Sequence, residues 1–174
     1  RLLPHESTVY LGDTARVPYG NRSPETVIQF VQESVEALLK YDVKTIVIAC
    51  GTASSVALDH LQQKYTNLPI LGVIDPAAKT AAELTKSNHV GVIGTNATIA
   101  SNSFGKAVLN HNPSVVIHNQ SCPLFVPLVE EGITDHHLIL ADTVKYYVSN
   151  LKSDPIDTLI LGCTHYSIIC KSIS

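Results

Sequence analysis

The sequence predicts an α/β fold of two pseudo-symmetric lobes, each a mainly parallel sheet flanked by helices, with a cleft between them. Three observations carry this expectation. Short β-branched runs alternate with longer amphipathic segments, the pattern of parallel strands joined by helical crossovers. One such segment, SPETVIQFVQESVEALLK (23–40), has the features of a capped helix. KTIVIACGT (44–52) also aligns with DTLILGCTH (157–165), pairing Thr45 with Thr158, Ala49 with Gly162 and Cys50 with Cys163, as a duplicated lobe would.

Along the chain, RLLPHESTVYL reads as a helix tail leading into a strand over 8–11, so the sequence enters a fold already begun. In the helix that comes next, Ser23 caps, Pro24 suits the first turn and Glu25 favours the positive end of the dipole. Val27, Phe30, Val31, Ser34, Val35 and Leu38 form its inward stripe. Further strands are expected at 45–49, 70–73, 90–94, 114–118 and 158–162, and helices at 53–65, 77–85, 99–110 and 139–150. The final CKSIS stops inside a helical pattern. The lobes are expected to divide at 1–75 and 76–174, each sheet covered on both faces, and ligands in such sheets bind beyond the carboxyl ends of the strands.

With 174 residues, 45% hydrophobic and 16% charged, the composition is that of a globular protein. A net charge of −3 and scattered basic residues argue against nucleic acid as a ligand. No apolar run approaches the roughly 20 residues of a bilayer span, and no signal peptide opens the chain. Cys50, Cys122, Cys163 and Cys170 form no CxxC pair, which points to reduced thiols and a cytoplasmic location.

A cysteine that ends an apolar strand is, taken alone, more often a small core residue than a catalyst. Cys50 and Cys163 differ because each stands where a strand gives way to a helix, and thiol pKa falls at helix N-termini. The free N–H groups there suit a carboxylate. Two thiols on opposite sides of one carbon suit a single reaction type, in which one removes a proton from a stereocentre and the other returns one to the far face. Cys122 and Cys170 read as packing residues. His136 and His137 read as solvated or capping, Glu130 and Glu131 as a polar helix face, and Thr95 and Thr98 as an N-cap with its first turn. Cys163 and His165, at C-x-H spacing, match no usual zinc pattern, and no metal is expected.

GDTARVPYG (12–20), ACGTAS (49–54), GVIDP (72–76), GTNAT (94–98), FVPLVEEG (125–132) and LGCTHY (161–166) together resemble the successive motifs of the glutamate racemase family, within the Asp/Glu racemase superfamily. The resemblance covers about residues 8–167. It implies cofactor-independent interconversion of L- and D-glutamate in the cytoplasm, supplying D-glutamate for peptidoglycan. It implies Cys50 and Cys163 as acid/base residues assisted by Glu130 and His165. It places Tyr19, Gly20, Gly51, Thr52, Thr95, Thr98, Thr164 and His165 around the substrate. Four departures stand out. The family's opening Asp-Ser-Gly-x-Gly-Gly strand has no counterpart, nor does its returning C-terminal segment. Gly51 replaces an Asn, and Ser167 replaces a Pro. Glutamate is the expected small-molecule partner, with homo-oligomerisation left open and a DNA gyrase interaction suggested by family analogy only. An aspartate-type racemase and an inactive or regulatory remnant are the alternatives.

Overall fold

The computed structural model describes residues 4–151 and 155–174, and its strands fall into two separate parallel sheets. In the first, β1 (Ile46–Ile48) and β2 (Ile70–Gly72) pair with Ile46 opposite Ile70 and Ile48 opposite Gly72. They are joined by α2 (Gly51–Lys64), against which α1 (Pro24–Leu38) packs. The packing comes from spacing. Val27, Val31 and Val35 recur every fourth residue on α1, as do Ala53, Ala57 and Leu61 on α2, so each helix turns one stripe toward Ile46, Ile48 and Ile70. Burying each of these valines contributes about 1.5–3 kcal/mol before entropy is counted. The Ser23 side chain accepts from the Thr26 N–H at 3.3 Å, the expected cap of α1.

The second sheet has the order β4 (Val116–Ser121), β3 (His89–Gly94), β5 (Thr158–Leu161), with Val90 opposite both Ile117 and Thr158. One face packs on α3 (Ile74–Leu84) and α5 (Ser103–His111) through Val90, Val92, Phe104, Val108 and Ile160. The other packs on α6 (Phe125–Glu130), α7 (Leu138–Val148) and the 3₁₀ turn Thr164–Ile169, through Ile93, Phe125, Leu140, Val144 and Tyr166. Tyr166 is fully buried, donates to the Cys122 carbonyl at 2.8 Å and meets the Phe125 ring edge-on. At the sheet's other end the Asp157 carboxylate accepts from Thr85 Oγ1, the N–H groups of Lys86 and Ser87, and Thr158 Oγ1, at 2.7–3.0 Å. The hydrogen bond from Thr85, helped by the others, holds that carboxyl well below the usual range.

Several expectations need correction. Residues 8–11 form no strand; Val9 and Leu11 alternate correctly but gain no ladder partner, and Tyr10 is 88% exposed. Residues 1–3, the start of the expected helix tail, lie outside the described residues. The first sheet is covered on one face only, since the register partners Val47 and Leu71 are 60% and 54% exposed. The helix expected over 99–110 is two, α4 (Asn96–Ser101) and α5, parted by Asn102 at φ +52°. Asparagine is one of the few non-glycine residues that enters this region readily. α2 begins at Gly51 and α3 at Ile74, each earlier than expected, and β4 runs on to Ser121. Cys170 is exposed at the start of the last helix, α8 (Cys170–Ile173), rather than packed. His137 caps α7, accepting from the Ile139 N–H at 3.3 Å. Among the described residues no helix is long and apolar enough to cross a membrane.

Candidate active site

Two of the parallel strands, one from each sheet, run out into cysteines, Cys50 and Cys163. Cys50 comes just after β1 and is itself the N-cap of α2, its half-buried sulfur accepting from the Ala53 N–H at 3.5 Å. Cys163 comes just after β5, is 9% exposed and opens the 3₁₀ turn. The two strand ends touch. Gly51, next to Cys50, lies against the carbonyl of Gly162, next to Cys163.

The surroundings of Cys163 form a chain of groups. Its Sγ lies 3.7 Å from His165 Nδ1, and His165 Nε2 meets Glu130 Oε1 at the end of α6. With Nε2–H donated to the carboxylate, Nδ1 is left as the acceptor facing the sulfur. Burial pushes the Cys163 thiol up to about 11; the N–H groups of His165 and Tyr166 pull against this, and the nearby Cys50 adds to it. Cys163 is therefore a thiol, not a thiolate, near neutral pH. Burial alone raises Cys122 to about 12, in keeping with its place in the core.

Thr52 on α2 and Thr95 and Thr98 at the start of α4 meet in a triangle of hydroxyls 3.0–3.2 Å apart, all at least 97% buried. Thr95 is the N-cap of α4, accepting from the Thr98 N–H at 3.3 Å. Gly20 sits against the Thr95 side chain, and its carbonyl accepts from the Ala97 N–H at 3.0 Å. Thr164 stands exposed at the first position of the turn after Cys163. Tyr19 donates its hydroxyl proton to Asp13 and packs on Phe30. Burial, then the bond to Asp13 and the charges of Asp13 and Cys50, push the Tyr19 phenol above its ordinary value, so it stays neutral.

Asp13 and Arg16 are the residues that spacing does not reveal. Arg16 pairs with Asp13 at 2.7 Å and with Glu33, and its guanidinium lies 4.4 Å from the Phe30 ring centre. Burial raises the Asp13 carboxyl, but the hydrogen bonds from Arg16 and Tyr19 and the guanidinium charge outweigh it and leave it below its usual range. Both residues stand inside GDTARVPYG, beside Tyr19 and Gly20. That adjacency was the signal available in the sequence.

The profile of the family described as Asp/Glu/Hydantoin racemase matches residues 1–174. A glutamate racemase of Geobacter metallireducens is 49% identical over 173 residues, 99% of this chain and 63% of its own length. One from Neisseria meningitidis is 46% identical over 167 residues, 96% of this chain and 62% of its own. Among solved structures, a glutamate racemase isoform from Bacillus anthracis superposes with a TM-score of 0.93 at 41% identity, covering 98% of this chain and 64% of that one. The Francisella tularensis glutamate racemase, solved in complex with D-glutamate, gives 0.92 at 40% identity, covering 99% and 64%. The chain thus spans less than two thirds of the length of these relatives. The two parallel sheets, the paired strand-end cysteines and these likenesses over nearly every residue agree: the chain belongs to the Asp/Glu/Hydantoin racemase family.

Proposed function

We propose that the protein is a cofactor-independent glutamate racemase in which Cys50 and Cys163 serve opposite faces of the substrate Cα. The observation that carries this reading is the approach of the two strand ends, Gly51 against Gly162, one residue from each thiol. It is supported by the names of the relatives and by the D-glutamate held in the Francisella structure. The lobes then divide at 1–75 and 76–174, with the substrate between them.

The chemistry comes from the protonation states. Cys163, kept as a thiol by burial, delivers a proton to one face of Cα after Cys50, as thiolate, has removed one from the other. In the reverse direction Cys163 must lose its proton. The Nδ1 lone pair of His165 faces its sulfur and takes that proton, and Glu130 stabilises the imidazolium that results. The N–H groups at the start of α2, beside Cys50, bind the α-carboxylate. Tyr19 has committed its proton to Asp13 and offers only lone pairs, so it accepts from the substrate ammonium. Gly20, Thr52, Thr95, Thr98 and Thr164 complete the walls, and D-glutamate made in the cytoplasm supplies peptidoglycan synthesis.

The test is D-to-L glutamate exchange in deuterated water by the purified protein. Cys50→Ser and Cys163→Ser should each lower it by about 10³–10⁴-fold. Undiminished exchange in either variant would end the two-thiol scheme. A catalytically silent member of the family is the second reading. On its side, Thr52, Thr95 and Thr98 direct their hydroxyls at one another. Absence of exchange by a folded protein with glutamate or aspartate would establish it, and exchange with aspartate alone would establish an aspartate-type enzyme.

A further inference from the structure

Gly51 is the first residue of α2, and a Cβ built there would lie 2.1 Å from the Gly162 carbonyl oxygen and 3.0 Å from its carbon. Real Cβ atoms essentially never come within 3.0 Å of a neighbour, so any side chain requires a withdrawal of at least 0.9 Å (3.0 − 2.1). The obstacle is backbone, which cannot swing aside as a flexible side chain can. Nor can Gly162 retreat alone. Its N–H donates to the Ile93 carbonyl at 2.7 Å, and a Cβ on Gly162 would sit 2.8 Å from that same oxygen. The tip of β5 is thus pinned to β3.

Glycine is not needed at 51 for its conformational freedom, because its φ lies outside the left-handed region. In a helix it costs up to about 1 kcal/mol relative to alanine. What the position needs is space. A second contact repeats the pattern: a Cβ on Gly20 would lie 2.6 Å from Thr95 Cβ and Cγ2, just beyond β3. Two glycines from the half built on β1 and β2 therefore meet the strand tips of the other half.

We infer that Gly51 is a positioning residue that sets the separation of the two thiols, its missing side chain letting α2 and Cys50 seat against the strand tip that carries Cys163. The inference rests on the two-thiol reading and deepens it. At this separation position 51 has room for no side chain.

The test reads geometry separately from turnover. In a Cys170→Ser background, which removes the exposed thiol and leaves Cys122 in the core, the protein is treated with dibromobimane, which fluoresces once both of its arms have alkylated thiols. The expected product is a bridged Cys50–Cys163 peptide. Gly51→Ala, shown to be folded by circular dichroism, should slow bridging by about tenfold or more and lower kcat for exchange by up to about a hundredfold with little change in KM. Each thiol should still react with monobromobimane at the parental rate. Should Gly51→Ala fail to fold, Gly20→Ala wedges the same seam against a side chain and is read in the same way. Equal bridging in variant and parent overturns the inference. No bridging in the parent overturns both it and the two-thiol scheme. Slowed bridging in a protein that exchanges neither enantiomer upholds the positioning role and sinks the racemase reading alone.

Discussion

β1 and β5 run into cysteines through nearly the same residues, yet the turns after them differ in almost every physical respect. After β1 the chain enters a 14-residue α-helix, and Cys50 is its cap, half-buried and held by the Ala53 N–H. After β5 it enters a 3₁₀ turn, and Cys163 is buried beside His165 and Glu130. A helix N-terminus stands at one sulfur, whereas burial supports the neutral form of the other. A repeated strand therefore fixes where the two sulfurs sit, while the helix after one and the turn after the other set their chemistry.

The strongest challenge to this contrast is to disable the groups unique to the Cys163 side. His165→Asn or Glu130→Gln should slow exchange by about 10²-fold. In the proposed racemisation the two substrates are mirror images of equal free energy, so kcat/KM must fall equally in both directions. The asymmetry should appear instead in the deuterium isotope effect at Cα, which should rise for the enantiomer whose proton Cys163 removes. Equal isotope effects for the two enantiomers would mean that the pair serves both sulfurs alike.

A smaller effect lies in stability against pH. The folded pKa of Cys163, about 11, exceeds the ordinary thiol value of 9.0, so the fold favours the protonated sulfur. That contribution is complete below about pH 9 and is lost as pH rises through 11, roughly 3 kcal/mol in all. Urea unfolding from pH 8 to pH 11 should show the loss in the parent and less of it in Cys163→Ala. Identical slopes would place the sulfur in a wetter site. The smallest effect concerns the support behind the turn. Tyr166→Phe removes one of two hydrogen bonds to the Cys122 carbonyl, which keeps the Phe125 N–H at 3.2 Å, and should cost about 0.5–1.5 kcal/mol in urea, with exchange nearly unchanged.

What could be read in advance was what depends on neighbours in sequence. Ser23 and Pro24 announced α1, and the Thr-aliphatic-small-Cys register announced the paired strand ends. Where pairing with distant residues decides, periodicity failed. Val9 and Leu11 have a strand's alternation without a strand's partner, and Val47 and Leu71 read as buried on both sides of a sheet that is covered on one. The break at Asn102 depends on one residue adopting a left-handed conformation, which composition permits but does not announce. The site divides in the same way. The cysteines, His165 and Glu130 stood in recognisable motifs, and the Asp13–Arg16 support of Tyr19 lies within another, while the contact of Gly51 with Gly162 exists only once the two halves are folded together.

The Asp157 clamp at the far end of β5 has a consequence for the sulfur at the near end. Alternate residues of a strand face opposite ways, so sliding β5 by a single residue along β3 would turn Cys163 away from Cys50 and offer Gly162 or Thr164 instead. By anchoring the start of the strand to the loop before β3, three hydrogen bonds to one carboxylate, from Thr85, Lys86 and Ser87, oppose that slip. The aim of Cys163 is thus set in part by a surface aspartate at the opposite end of the sheet.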